Sequence, residues 1–232
     1  MSRGWLVVFA KAPRPGLVKT RMSPPLSLED CAELYAEMLV DVLRASARFA
    51  EDLGLEKVLA FHPPEAPAEL VPRAPAGFRL QAQQGADLGE RMAHACREAA
   101  AAGAERILIR GSDSPALSAR VMEQAMARLD AGDDVVLTPD QGGGYALIGL
   151  RRAQPRLFAL TMSTRTVLQE TLTRASSLGL SATTTDPTFD LDHVRDFQPF
   201  LEWAQADGGA EFADLCPRTV QYVSRLYASG VL

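Results

Sequence analysis

The sequence predicts an α/β fold: a mixed, mostly parallel sheet flanked by helices, Rossmann-like in plan. Three observations carry this. Short continuous apolar runs, Trp5–Phe9, Ile107–Ile109 and Val135–Leu137, read as strands buried on both faces. Stretches of helical apolar spacing alternate with them. The loops that follow the strands carry charge or glycine, at the strand ends where open α/β sheets bind ligands. With 232 residues, the chain suits one sizeable domain over 1–232.

Composition removes several function classes. The apolar fraction, 47%, is ordinary for a globular chain. Lys and Arg number 24 against 29 Asp and Glu, a formal charge of −5 that disfavours nucleic acid as a partner. A local basic pocket can still hold an anion. The three cysteines, Cys31, Cys96 and Cys216, are widely spaced, which points to free thiols in a cytoplasmic protein. His62, His94 and His193 form no zinc motif. No run approaches a membrane span.

In chain order, the strand Trp5–Phe9 runs into a basic loop from Ala10 to Arg21. Its cations Lys11, Arg14, Lys19 and Arg21 suit phosphate oxygens, and Gly16 lets backbone approach a ligand closely. Pro13 and Pro15 stiffen it, which a merely solvated loop does not need. Ser27 caps a helix to about Phe49, with Asp30 completing a capping box. Lys57–Phe61 is the next strand, followed by a proline-rich surface connection and a strand Phe78–Ala82. Asp87 caps a helix to about Ala102 that turns Met92 and Cys96 inward. Arg91 in its first turn opposes the helix dipole, which asks for a ligand or a carboxylate.

The strand Arg106–Arg110 breaks into Gly111-Ser112-Asp113-Ser114-Pro115. Asp113, at the end of a central strand, faces the crevice and is an oxygen ligand for a hard cation carrying a diphosphate. A plain strand-to-helix turn would explain the same residues. Ser118 caps a helix to about Asp130, and Asp134–Thr138 is the next strand. Asp140, Gly142, Gly143, Gly144 and Tyr145 then form either a loose hairpin or a place where backbone lies against a sugar or base. Ser163 is read as the cap of a helix Arg165–Leu178, and Ser181–Thr185 as a strand. If extended, Asp190 and Asp192 put both carboxylates on one face. His193 to about Ala206, and about Ala210 to Ala228, are read as helical. In the last helix Val220, Val223, Leu226 and Tyr227 pack within the chain, or across a homodimer.

Read together, Lys19-Thr20-Arg21, Gly85–Met92, Gly111–Pro115, Gly142–Tyr145 and Asp190-Leu191-Asp192 resemble a known bacterial family. It is the GT-A-type glycosyltransferases associated with radical-SAM and selenodomain proteins, some tied to arsenosugar biosynthesis. They sit in the nucleotide-diphospho-sugar transferase superfamily, beside MobA-like and CofC-like nucleotidyltransferases. The order and spacing of the motifs carry the likeness, not any single one.

The resemblance implies a sheet that binds a nucleotide through Mg²⁺ or Mn²⁺. Ala10, Lys11, Ala12, Pro13, Gly16, Lys19, Thr20 and Arg21 would hold base and phosphates, with Gly85, Asp87, Arg91 and Ser112 beside them. Asp113 takes the place of the metal-binding acid, joined by Asp192 and Asp190. Gly142, Gly143, Gly144, Tyr145 and Ser163 would line the acceptor. The sequence departs from the family at two points: His193 replaces a threonine, and Met162 replaces a tryptophan.

The expected reaction is sugar transfer from a nucleoside-diphosphate sugar to a small acceptor, with Lys19 and Asp113 stabilising the leaving group and Asp140 as base. The alternatives are nucleotidyl transfer from a triphosphate with release of pyrophosphate, and nucleotide binding without catalysis. Hydride transfer is disfavoured, because no dinucleotide glycine fingerprint follows the first strand.

Overall fold

The computed structural model describes residues 4–205 and 210–230. The strands are β1 (Gly4–Lys11), β2 (Glu56–His62), β3 (Arg79–Ala82), β4 (Arg106–Arg110), β5 (Val135–Pro139), β6 (Tyr145–Leu150) and β7 (Ala182–Thr184). They form one sheet in the order β3-β2-β1-β4-β6-β5-β7. All pairings are parallel except those of β6 with β4 and β5. The loop from Asp140 to Gly144 is too short for a parallel crossover, so β6 returns antiparallel to β5. This is the mixed, mostly parallel sheet that the sequence predicts.

The helices are α1 (Leu28–Asp52), α2 (Pro67–Leu70), α3 (Leu88–Ala101), α4 (Ala119–Ala131), α5 (Val167–Ser177), α6 (Phe197–Gln205), α7 (Ala210–Leu215) and α8 (Pro217–Ala228). Alternation along β1 explains why both sheet faces are covered. Trp5, Val7 and Phe9 pack with Met92 and Cys96 of α3 and with Phe158. Leu6 joins Phe49 of α1 and Met122 and Leu129 of α4 on the other side. Val8 and Ala10 meet Leu39 and Leu43 of α1. Helix starts follow their caps: Ser27 with Asp30, Asp87, and Ser118 all accept first-turn amides. The three thiols are free and buried.

Three expectations fail. Ser163 caps no helix. It sits at φ 63, and α5 starts four residues later, after Thr166, with no side-chain cap. The C-terminal helical stretch is broken at Cys216, because Pro217 opens α8 as an N1 residue. The helix expected over His193 to Ala206 is a 3₁₀ turn, Val194–Asp196, followed by α6, and Ala206 lies outside the described residues. Val223 and Leu226 of α8 pack inside the chain on Cys31, Leu34 and Met38 of α1, while Tyr227 is exposed.

α8 has no cap of its own, and Asp41 of α1 supplies one. Asp41 Oδ2 accepts from Thr219 N and Thr219 Oγ1, each at 2.8 Å. Its other oxygen is buried without a partner. Burial pushes the Asp41 carboxyl above its ordinary range, against the two Thr219 hydrogen bonds. The folded state therefore holds this proton more tightly than the unfolded chain. Asp41's contribution falls as pH rises from the unfolded carboxylate value, about 3.9, through the raised folded value. Urea denaturation across that window should show Asp41→Asn losing less stability with rising pH than the natural chain. Asp41→Ala should cost about 1–3 kcal/mol, because a buried helix amide loses its acceptor.

Candidate functional site

The C-terminal ends of β1, β2, β4 and β5 share one edge of the sheet, and the loops that leave them form the candidate site. At its centre is Lys19, in the loop after β1. It adopts a left-handed conformation, φ 48 and ψ 28, uncommon for a residue with a side chain. Its side chain is 3% exposed. Nζ contacts Asp113 Oδ1, Asp192 Oδ1 at 3.1 Å and the Leu191 carbonyl at 2.7 Å. Burial pulls this ammonium toward neutrality, but Asp113 and Asp192 outweigh it and hold it above the ordinary lysine range. Burial likewise raises the Asp113 carboxyl. Lys19 beside it, with Lys11 and Arg21, overcomes this and holds it below the usual carboxylate range.

The backbone supports this cluster. Leu191 N donates to the Asp113 carbonyl at 2.9 Å, so the Asp190–Asp192 segment is clamped to the β4 turn. Asp196 Oδ2 accepts the amides of Asp192 and His193 at 3.0 and 2.6 Å and so orients Asp192. Asp190 accepts from Ser114 Oγ and exchanges two hydrogen bonds with Gln141, at 2.5 and 2.9 Å. Burial pushes the Asp190 carboxyl up to about 7; Ser114 opposes the shift, while Asp113, Asp140 and Asp192 add to it. Beneath it Arg110 is fully buried, donating to the Ser114 carbonyl at 2.6 Å and Ser46 Oγ at 3.3 Å. Burial lowers that guanidinium to about 10.

Ser112 is paired with a buried phenol. Tyr35 of α1 accepts from Lys11 N at 2.9 Å and lies 2.7 Å from Ser112 Oγ. Burial first, then Asp113, raises the phenol to about 12, so it keeps its proton. One hydrogen bond joins the two hydroxyls, and either can be its donor. Lys11 stands at the end of β1 opposite His62 at the end of β2. Burial lowers the His62 imidazole, and the charges of Arg91 and Lys11 lower it further. Arg21 sits 3.6 Å from Asp192 and is 62% exposed. Arg14, by contrast, pairs with Glu65 and Glu69 on the surface.

The structure thus gathers Lys11, Lys19, Arg21, Arg91, Ser112, Asp113, Asp190 and Asp192 at one edge. Other predicted residues have a local structural explanation. Asp140 Oδ1 accepts the amides of Gly142 and Gly144 at 2.6 and 2.9 Å, which shapes the glycine turn. Gly143, at φ 86, leaves no room for a Cβ, which would overlap the Arg165 carbonyl. Tyr145 packs on the sheet core, and its hydroxyl is buried. Arg91 Nε donates to the Gly85 carbonyl at 3.1 Å, and Asp87 caps α3. Asp87 and Ser163 share the lining of a cavity of about 710 Å³ with Glu90, Arg97, Phe158 and Met162. Lys19, Asp113 and Asp192 are not part of that lining.

Sequence reasoning missed Tyr35, His62, Gln141 and Arg110. Two carried a usable signal: His62 ends a strand beside a basic loop, and Arg110 is a charge at the end of a fully apolar run. Tyr35 lay hidden beside the apolar stripe of α1.

The carboxylates of Asp113 and Asp192 point at one position, and a cation, Lys19 Nζ, fills it. Among the described residues no group of three or more acidic, histidine or cysteine side chains is arranged to hold a metal by itself. Two converging carboxylates still fit Mg²⁺ or Mn²⁺ whose remaining ligands are water and phosphate oxygens. The fit requires Lys19 to give way.

The family model described as uncharacterized protein conserved in bacteria (DUF2064) matches residues 43–164, more than half of the chain. The chain belongs to the DUF2064 family. The match spans Asp87, Asp113 and the Gly142–Gly144 turn. A crystal structure from Desulfovibrio desulfuricans G20, described as a proposed nucleotide-diphospho-sugar transferase, is 28% identical, with TM-score 0.77, over 96% of this chain and 99% of that one. More distant likeness shows the fold alone. A 4-diphosphocytidyl-2C-methyl-D-erythritol synthase matches with TM-score 0.56 and 12% identity over 84% of this chain and 95% of that one. A cytidylyltransferase from Leptospira borgpetersenii serovar Hardjo-bovis matches with TM-score 0.55 and 10% identity over 99% and 96%. No curated protein sequence matches the chain.

Replacing Gly143 tests the turn. Gly143→Ala should destabilise by at least about 1–3 kcal/mol in urea denaturation, from positive φ and the overlap with Arg165 together. Gly142→Ala, at ordinary φ, should cost less.

Proposed function

We propose that this DUF2064 protein is a transferase that uses a nucleotide-activated donor, moving a sugar from a nucleoside-diphosphate sugar to a small acceptor. The observation that carries the reading is the Lys19–Asp113–Asp192 cluster at the C-terminal edge of the sheet, with further cations at the same edge. Among the described residues, Lys11 and Arg91 make no ion pair, and Arg21 has only a long contact to Asp192. These three would bind diphosphate oxygens, with the Ser112 hydroxyl beside Asp113 as a further polar group. The 28% identity to the Desulfovibrio protein along nearly the whole chain supports the same reading.

The chemistry follows from charge. When the bond from the sugar anomeric carbon to the diphosphate oxygen breaks, negative charge grows on the departing diphosphate. Lys11, Arg21 and Arg91 would neutralise that charge, joined by Lys19 once it is released from its carboxylates. Asp113 and Asp192 would hold Mg²⁺ or Mn²⁺, which supplies further neutralisation of the diphosphate when bound. Asp140 is the candidate base for the acceptor hydroxyl, for its turn leaves Oδ2 clear of those two amides. The 710 Å³ cavity beside α3, with Asp87 and Ser163 on its wall, is the candidate acceptor site.

A second reading is nucleotidyl transfer from a triphosphate, since synthetases and cytidylyltransferases share the fold, one of them bound to CTP. Product analysis separates the two: a nucleoside diphosphate supports sugar transfer, and pyrophosphate supports nucleotidyl transfer.

Titration calorimetry with UDP, GDP, CTP and GTP, with and without Mg²⁺ or Mn²⁺, should show one nucleotide binding far better with the cation. Asp113→Ala should lose that dependence. Failure of every nucleotide to bind in any combination would sink the proposal. Given turnover, Asp140→Asn should keep the turn, because an amide oxygen still accepts from Gly142 and Gly144, yet lower kcat by about 10²–10⁴-fold.

A further inference from the structure

Lys19 has the surroundings of a bound ion rather than of a lysine waiting for phosphate. Its ammonium carries three protons, and three oxygens take them: Asp113 Oδ1, Asp192 Oδ1 and the Leu191 carbonyl. The left-handed backbone at Lys19 turns the side chain into the protein, and only 3% of it is exposed. The two carboxylates are far more open, 47% for Asp113 and 38% for Asp192. A cation arriving from solvent can reach their outer oxygens, but the point between them is taken.

We infer that Lys19 is the resident counter-ion of the Asp113–Asp192 pair, so that the ligand-free protein binds no divalent cation there. A dication beside a buried ammonium meets like-charge repulsion. The ammonium in turn cannot leave its three oxygens unless other acceptors receive it. Nucleotide phosphates are such acceptors. When they enter, Lys19 Nζ moves from the carboxylates to phosphate oxygens, and the carboxylates become free for the cation that the nucleotide brings. Metal and nucleotide therefore bind as one unit, each weak without the other. The nucleotide half of this inference rests on the proposed function; the exclusion of metal from the ligand-free protein does not.

The test uses Mn²⁺ alone, with no nucleotide, and follows free Mn²⁺ by electron paramagnetic resonance. The natural chain should take up Mn²⁺ only weakly. Lys19→Met, which keeps the buried chain length but removes the charge, should bind about tenfold more tightly or better. Adding Asp113→Asn to Lys19→Met should abolish the gain. If circular dichroism shows the methionine variant unfolded, Lys19→Asn replaces it, since asparagine tolerates positive φ. The inference is overturned if the natural chain binds Mn²⁺ as tightly as the folded Lys19 variant, or if that variant gains nothing. Neither result depends on nucleotide recognition, whose own failure appears in the calorimetry.

Discussion

The buried ammonium of Lys19 is the charge around which the crevice loops are arranged. It joins the loop after β1 to the turn after β4 and to the Leu191–Asp192 segment, partners 94 to 173 residues apart. Each element of the cluster needs the others. Without Lys19, two carboxylates would face each other at one point. Without the carboxylates, a buried ammonium would have no counter-charge. Removing one member of a buried ion pair costs far more than the pair contributes net, because it leaves a charge desolvated and unmatched. The arrangement is thus weak evidence for stability and strong evidence for a defined geometry. The parallel strands make that geometry possible, since they bring the ends of β1 and β4 to the same edge.

Around this cluster the charged groups divide into those paired within the fold and those without a close ion-pair partner. Arg14 is occupied by Glu65 and Glu69, and two turn amides use one oxygen of Asp140. Arg110 props the carbonyl of Ser114, whose hydroxyl in turn holds Asp190. Among the described residues Lys11 and Arg91 make no ion pair, and Arg21 has a 3.6 Å contact to Asp192.

The sequence was most legible where structure is set locally. Ser27, Asp87 and Ser118 were readable as helix starts because a cap bonds amides two or three residues ahead. The strand Arg106–Arg110 was bounded by its own apolar run. Ser163 misled, because a serine before a helical pattern resembles a cap, whereas here the chain turns through positive φ first. Pro217 marked a helix start that the apolar spacing from Ala210 to Ala228 concealed.

Among candidate site residues, Asp113, Lys19 and Asp192 were legible as residue types after strands, but their mutual contact was not. It depends on strand order, which neither periodicity nor caps reveal. Asp41 and Thr219, 178 residues apart, illustrate the same limit away from the crevice.

The central claim, that Lys19 and Asp113 form one electrostatic unit, is tested most directly by a double-mutant cycle in urea with Lys19→Met, Asp113→Asn and both together. The expected coupling is about 1–3 kcal/mol, with the second substitution recovering part of the loss caused by the first. The value should fall below that of a fully buried pair, since Asp113 is 47% exposed and partly screened. Strict additivity of the two single substitutions would contradict the claim and leave Lys19 as an isolated buried lysine.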